Sequence, residues 1–416
     1  MERNNNKKYS VWKRLSLFFF LIGPGIITSN VDNDAGGITT YSLAGAHFGL
    51  SLLWSLIPIT IVLIVVQEMG ARMGVVTGKG LSDLIRERFG AKITFYLMMA
   101  LIITNMGNTI AEFAGVAASM EVFGVKKYIS VPASALIVWY LVIKRNYRSI
   151  EKVFLVACLF YLTYVISGII VAPNWNVTLS ALVKPKIDFE MKYVIALTAM
   201  VGASIAPWMQ FYLQSSVVEK GIKIEQYKYS KIDVIIGSVT VNVIAFFIIV
   251  ACAATLFLKG IRIHSAKDAA LALSPLVGEH CSWLFAFGLL NASLFAASIL
   301  PLSTAYYVCE GLGWETGVNK KFVEAPQFYI LYSVMIIIGA GVILTPNVPL
   351  VPVMFLSQVI NAILLPFILV CMVILSNDKK IMGNYTNGKL FNAVIWTATI
   401  LISCLCVGML LFSINS

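Results

Sequence analysis

The sequence predicts an all-α membrane protein with about eleven transmembrane helices. Three observations carry this reading: the composition, a train of long apolar runs, and the interruption of two of those runs. Of 416 residues, 59% are hydrophobic and only 12% are charged, far from the balance of a soluble domain. Apolar runs of about 17–25 residues, the length that crosses the hydrocarbon core as a helix, recur along the chain. The first and the sixth contain residues that an unbroken helix in lipid tolerates poorly.

In chain order the runs are about 15–48 (broken), 51–73, 93–123, 128–143, 152–172, 190–217 (broken), 232–257, 282–308, 327–345, 348–375 and 390–413. Met1–Arg14 is polar and basic, and no small-residue cleavage site follows it, so no removable signal peptide is expected. The net charge of +11 does not point to nucleic acid. The basic residues fall between or at the ends of the apolar runs, and most of them fall in alternate loops. Arg3 to Arg14, Arg72 to Lys92, Lys144 to Lys152, Lys220 to Lys231, Lys320 with Lys321, and Lys379 to Lys389 mark one face. The positive-inside rule makes that face cytoplasmic. The N-terminus is then inside, the C-terminus outside, and the plasma membrane is the expected location. The connections near 74–92 and 258–281 are long enough for short amphipathic helices, as Ser82–Phe89 suggests. The seven cysteines are scattered, mostly in apolar runs and without a CxxC, and read as small buried hydrophobes.

The first break is Gly23–Gly37, which places Asn30, Asp32, Asn33 and Asp34 at membrane depth among four glycines and a proline. Non-helical backbone survives there only when buried in protein or lining a wet cavity. An intramembrane carboxylate is by default a functional group, although an Asp at this place also suits a helix N-cap. The second break surrounds Ala203–Ala206, ahead of Pro207, which removes a backbone donor. The breaks fall five spans apart. That spacing predicts a single transporter domain over 1–416 built from two inverted five-helix repeats, about 15–172 and 190–375, with an eleventh helix at about 390–413.

Five segments resemble the Nramp family of divalent-metal transporters: Leu21-Ile-Gly-Pro-Gly25, Ala44-Gly-Ala-His-Phe-Gly49, Ala71-Arg-Met-Gly-Val-Val-Thr-Gly-Lys79, Ala111-Glu-Phe-Ala-Gly115 and Ser357-Gln-Val-Ile-Asn-Ala-Ile-Leu-Leu-Pro-Phe367. The resemblance covers most of the chain and implies the amino-acid-transporter-like fold. Its departures are informative. The family's first-span Asp-Pro-Gly-Asn stands here as Asp34-Ala35-Gly36-Gly37, and its sixth-span Ala-x-x-Met-Pro-His as Ala203-Ser204-Ile205-Ala206-Pro207-Trp208. Its third-span Asp and Glu, three residues apart, stand as Thr109 and Glu112. These features resemble a divergent branch, the Nramp-related magnesium transporters.

Carried over by position, the resemblance implies a metal site of Asp34, the carbonyls of Val31 and Ala203, and Gln358. Gly37 and Ala206 replace two of the family's ligands. Thr28, Asn30, Asp32, Asn33 and Ser204 are expected as further or water-mediated oxygens. Met209 is a thioether that a slip in register would bring near. Loss of the thioether at Ala206 removes a soft ligand, and the smaller residues are expected to widen the cavity for a partly hydrated Mg²⁺. Trp208, Thr109 and Glu112 mark the former proton path. Trp208 is expected to plug it and Glu112 to keep a structural role, so proton coupling is expected to be absent. Glu68 should pair with Arg72 across one helical turn. Glu121 should be solvated, and His47, His264 and His280 have no metal-ligand spacing. The expected function is uptake of Mg²⁺, and also of Mn²⁺, by alternating access. The expected partners are the ion and the bilayer; a single chain is the expected unit, with no cofactor and no nucleic acid. The alternatives are a proton-coupled Mn²⁺/Fe²⁺ importer and an amino-acid transporter of the same fold. No HExxH, nucleophile elbow or Ser/His pairing supports an enzyme.

Overall fold

The computed structural model describes residues 24–144, 161–171, 173–274, 278–318 and 320–415. Among them there is no strand, and apart from turns every element is a helix. The first span is split into α1 (Pro24–Asp32) and α2 (Ala35–Phe48). Next come α3 (Leu56–Thr77), α4 (Leu81–Val122), α5 (Lys127–Lys144) and α6 (Leu162–Ile170). After α7 (Trp175–Val183), the sixth span is split into α8 (Met191–Ser204) and α9 (Pro207–Glu219). Then follow α10 (Tyr227–Cys252), the short α11 (Ala266–Ala270), α12 (Cys281–Leu312), α13 (Pro326–Leu344), α14 (Leu350–Asn377), one turn of α15 (Lys379–Met382) and α16 (Lys389–Asn415).

Eight helices among the described residues are long and apolar enough to cross a membrane, and Lys127–Ile143 is a shorter apolar one. The split first span and the fifth, of which α6 is the described part, complete the set of about eleven. Five crossings return the chain on the opposite side, so the second five-helix repeat enters inverted relative to the first, and α16 is the extra helix. The starts of the first and fifth spans, Cys158 and the N-terminal basic segment lie outside the described residues.

The connection at 74–92 contains a short amphipathic helix, the first turns of α4 from Leu81 to Phe89. A 42-residue helix is recorded across Gly90, whose φ of 83° lies in the left-handed region and joins an amphipathic stretch to the third span. α7 is an addition to the expected elements. Asn174 caps it, its side chain accepting from the Val177 N–H at 3.3 Å. The expected Glu68–Arg72 pair forms at 3.3 Å. Arg72 also donates to the Tyr385 carbonyl at 2.8 Å, and Tyr227 donates to Glu68. These contacts tie α3 to the start of α10 and to the 383–388 turn. Glu121 is exposed, as expected. The described cysteines are free, and only Cys404 is exposed.

Candidate metal site at the two broken helices

The first break is two residues long. Asn33 and Asp34 leave the helix, and Asp34 caps the next one, its Oδ1 accepting from the Gly37 N–H at 2.7 Å. The Ala35 N–H would reach the Val31 carbonyl in an unbroken helix. It points instead to Glu112 Oε2 on α4, at 3.3 Å, so the helical ladder does not satisfy the Val31 carbonyl. The sixth span has the same logic. Ala203 would accept from residue 207, but that residue is Pro207 and has no N–H. Ile205 and Ala206 leave the helix, with ψ of 60° and 140°, before α9 begins. Two carbonyls, Val31 and Ala203, are thus released at two breaks. One short bond joins the breaks, Tyr41 OH to Ser204 Oγ at 2.7 Å.

Glu112 packs at the first break. It is fully buried and its carboxyl reaches the Asp34 carboxyl, while its Oε1 has no partner. Its hydrogen bond from the Ala35 N–H fits the structural role expected of it and places it at the first break. Asp34 is 5% exposed. Two carboxylates this deep and this close repel unless a proton or a cation lies between them. Thr109, three residues earlier, turns away: its Oγ1 donates to the Asn105 carbonyl at 2.9 Å, and its methyl group faces Gly339 of α13.

The tenth span packs against both breaks. A Cβ at Gly36 would collide with the Gln358 side-chain amide, and one at Gly202 with the Gln358 carbonyl. α14 therefore lies against both broken spans, and only glycine permits it. The Gln358 Oε1 accepts from Asn361 at 2.9 Å, and Asn361 and Asn108 exchange amide bonds at 3.0 and 3.1 Å. Asn108 continues to Asn105, and Asn105 to Thr304 on α12. This amide chain runs from the site into the α4–α12 interface and has no carboxylate or imidazole member.

The remaining expected residues are placed as follows. Asp32 is 3% exposed with Oδ2 unpaired, so it does not face solvent. Neither side-chain atom of Asn33 has a partner, while its carbonyl accepts from Tyr161 OH at 2.6 Å. Thr28 is wholly buried, and the side chain of Asn30 lies outside the described residues. A Cβ at Gly37 would meet the Asp32 carbonyl at 2.5 Å, so the break folds closely over its own backbone there. Trp208 is buried against Tyr212, with ring centroids 6.1 Å apart. Met209 is wholly buried in the first turn of α9.

Sequence reasoning missed three groups. Gln67 on α3 is buried with both amide atoms unpaired, and Gln210 on α9 leaves its Oε1 unpaired. Met354, one turn before Gln358 on α14, accepts from Thr39 Oγ1 at 3.5 Å. A lone amide inside an apolar run was the only available signal for the two glutamines. Among the described residues no three His, Cys, Asp or Glu side chains group as a metal cluster. The donors at the breaks are two carboxylates, released carbonyls, amides and hydroxyls, a set of oxygens that suits a hard cation.

Two discontinuous helices, five spans apart and with a carboxylate pair at the first break, are the arrangement expected of a secondary transporter. Residues 25–412 match the family described as "Natural resistance-associated macrophage protein-like", Nramp. The chain belongs to the Nramp family. It is 24% identical over 398 residues to the "Divalent metal cation transporter MntH" of Bacillus subtilis, covering 92% of this chain and 89% of the relative. It is 25% identical over 402 residues to the protein of that name from Erwinia tasmaniensis, covering 94% of each. A structure of the Eremococcus coleocola manganese transporter, in complex with an aromatic bis-isothiourea substituted compound, superposes with a TM-score of 0.79. The identity there is 22%, and the match covers 95% of this chain and 86% of that one. Mhp1, a nucleobase-cation-symport-1 family transporter, matches at TM-score 0.61 and 13% identity over 94% and 90% of the chains. At these identities the structural likeness speaks for the fold alone.

Proposed function

We propose that this chain is a divalent metal cation transporter that takes up Mg²⁺, and also Mn²⁺, by alternating access across the plasma membrane. The N-terminus is cytoplasmic and the ion crosses partly hydrated. The observation that carries this reading is the meeting of Asp34 and Glu112 at a break that holds neither thioether nor imidazole. Mg²⁺ keeps several waters and takes one or two carboxylates. Asp34 supplies the fixed charge, the Val31 and Ala203 carbonyls bind directly or through water, and Gln358 bears on the site through Gly36. Ala206 and Gly37 give no soft or amide contact, which weakens any preference for transition metals.

Trp208 and Thr109 cannot exchange a proton in this range, and the amide chain beyond Gln358 has no titratable member. Transport is then driven by the ion's own gradient. A divalent cation gains about 4.6 kcal/mol per 100 mV of membrane potential. Glu112 favours a second reading, a proton-coupled Mn²⁺/Fe²⁺ importer, because a carboxyl beside the bound ion is placed to give up a proton when the ion arrives. Proteoliposome uptake of Mg²⁺, Mn²⁺, Ca²⁺ and Cd²⁺ with an internal pH probe decides between them. Mg²⁺ and Mn²⁺ uptake without internal acidification supports the first reading; metal-driven acidification with Mg²⁺ excluded supports the second.

A further inference from the structure

A cavity of about 860 Å³ lies on the Lys/Arg-poor outer face, between the outer ends of α2 and α8, the start of α14 and the 262–264 segment. It stands outward of the broken helices. Its wall includes Phe355, next in sequence to the Met354 that meets Thr39. His47, Lys192, Arg262 and His264 line it, against a single acid, Glu190. Lys192, Arg262 and His264 all lie within electrostatic reach of His47. Among the described residues none of the four forms an ion pair.

Arg262 spends one donor on the His47 carbonyl, at 3.3 Å, closing the end of α2. Arg262, Lys192 and His264 are exposed, the other guanidinium donors have no protein partner among the described residues, and the His47 Nε2 is buried without one. Lys184 and Lys186 line the adjoining cavity, which shares Phe48. Topogenic charge does not explain this concentration, because the rule depletes basic residues from outer loops. For a cation carrier such a basic wall is costly on any route that leads past it, since it repels the ion. A guanidinium fork, an ammonium and two imidazoles are instead the donors that hold a phosphate or carboxylate group.

We propose that this outer basin binds a small oxyanion, held by Arg262, Lys192, His47 and His264, and that the bound anion neutralises the entry to the broken-helix site. Binding of the anion does not depend on which cation is carried; the neutralising role rests on the function proposed above. The binding test uses the full-length purified chain, unfolded by heat in inorganic phosphate against chloride at constant ionic strength. A saturable, phosphate-specific rise in Tm is expected. Its half-saturation point should move at least tenfold upward in Lys192→Gln/Arg262→Gln and in the single rim variant His264→Gln, which guards against misfolding of the double. Lys126→Gln, an exposed lysine on a different outer loop, should leave it unmoved. No phosphate-specific rise, or a rise unchanged in the basin variants, overturns the site. Repeating the titration in phosphatidylglycerol and phosphatidylcholine bilayers identifies the source. A rise lost only in the anionic lipid means that a lipid phosphate fills the basin, and a rise in both means a free anion. For the neutralising role, Mg²⁺ uptake at fixed free Mg²⁺ should be several-fold faster with external sulfate than with chloride in wild type, and equal in the basin variants. Equal rates in wild type would overturn that role without touching the binding result.

Discussion

Asp34 does two jobs that can be separated by substitution. As N-cap of α2 its Oδ1 accepts from the Gly37 N–H, and as a buried carboxylate beside Glu112 it is the charge proposed to hold the cation. Asparagine caps a helix about as well as aspartate, whereas alanine loses about 1 kcal/mol. Asp34→Asn should therefore unfold near the wild-type temperature and Asp34→Ala measurably lower, as thermal denaturation in detergent would register. Met354 sets a thioether beside Thr39. If its sulfur gives transient soft contact to passing ions, Met354→Leu should weaken Cd²⁺ inhibition of Mg²⁺ uptake several-fold while sparing Mg²⁺ uptake itself. Equal loss for both ions would mean that the side chain only packs. Asp34 was legible in the sequence because a carboxylate stands out in an apolar run. Glu112 was legible as a residue but not as a neighbour: its contact with Ala35 spans 77 positions and no periodicity announces it.

The two broken spans and α14 form one unit at the level of the elements. Pro207 and the Asn33–Asp34 pair wrote both breaks into the sequence, since each removes or redirects a backbone donor that a helix needs. The closeness of α14 was not written so plainly, because Gly36 and Gly202 read equally well as loose helical positions. Their absent side chains are what let Gln358 approach from both sides. Gly202→Ala should therefore cost about 1–3 kcal/mol through overpacking. Gly107→Ala, where an added methyl would meet nothing within 4 Å, should be neutral or stabilising by up to about 1 kcal/mol. Parallel melting curves and expression levels of the two variants would show the split, and equal losses would mean that α14 is not seated against α8. The amide chain from Gln358 to Asn105 was likewise invisible, as Asn108 and Asn361 lie 253 positions apart.

At the scale of the whole molecule, the proposed alternating access requires the sixth span to part from the eighth and from the 78–80 connection on the Lys/Arg-rich face. Three contacts hold it there. Ser215 donates to Glu310 at 3.0 Å, Tyr306 donates to Glu219 at 2.8 Å, and Gln214 donates to the Lys79 carbonyl at 2.9 Å. Tyr306→Phe with Ser215→Ala should weaken this clasp and raise the population open on that face. Cys309, beside Glu310 and buried, reports it: with the other cysteines replaced by serine, its labelling by a membrane-impermeant thiol reagent from that face should quicken. Unchanged labelling would place the clasp elsewhere. The central claim, that the Asp34 charge holds a hydrated hard cation where the two broken helices meet, is tested most directly by Mg²⁺ uptake into proteoliposomes containing Asp34→Asn. That variant keeps the cap and the fold. The account predicts that its uptake falls to the level of empty liposomes; uptake at the wild-type rate would contradict it.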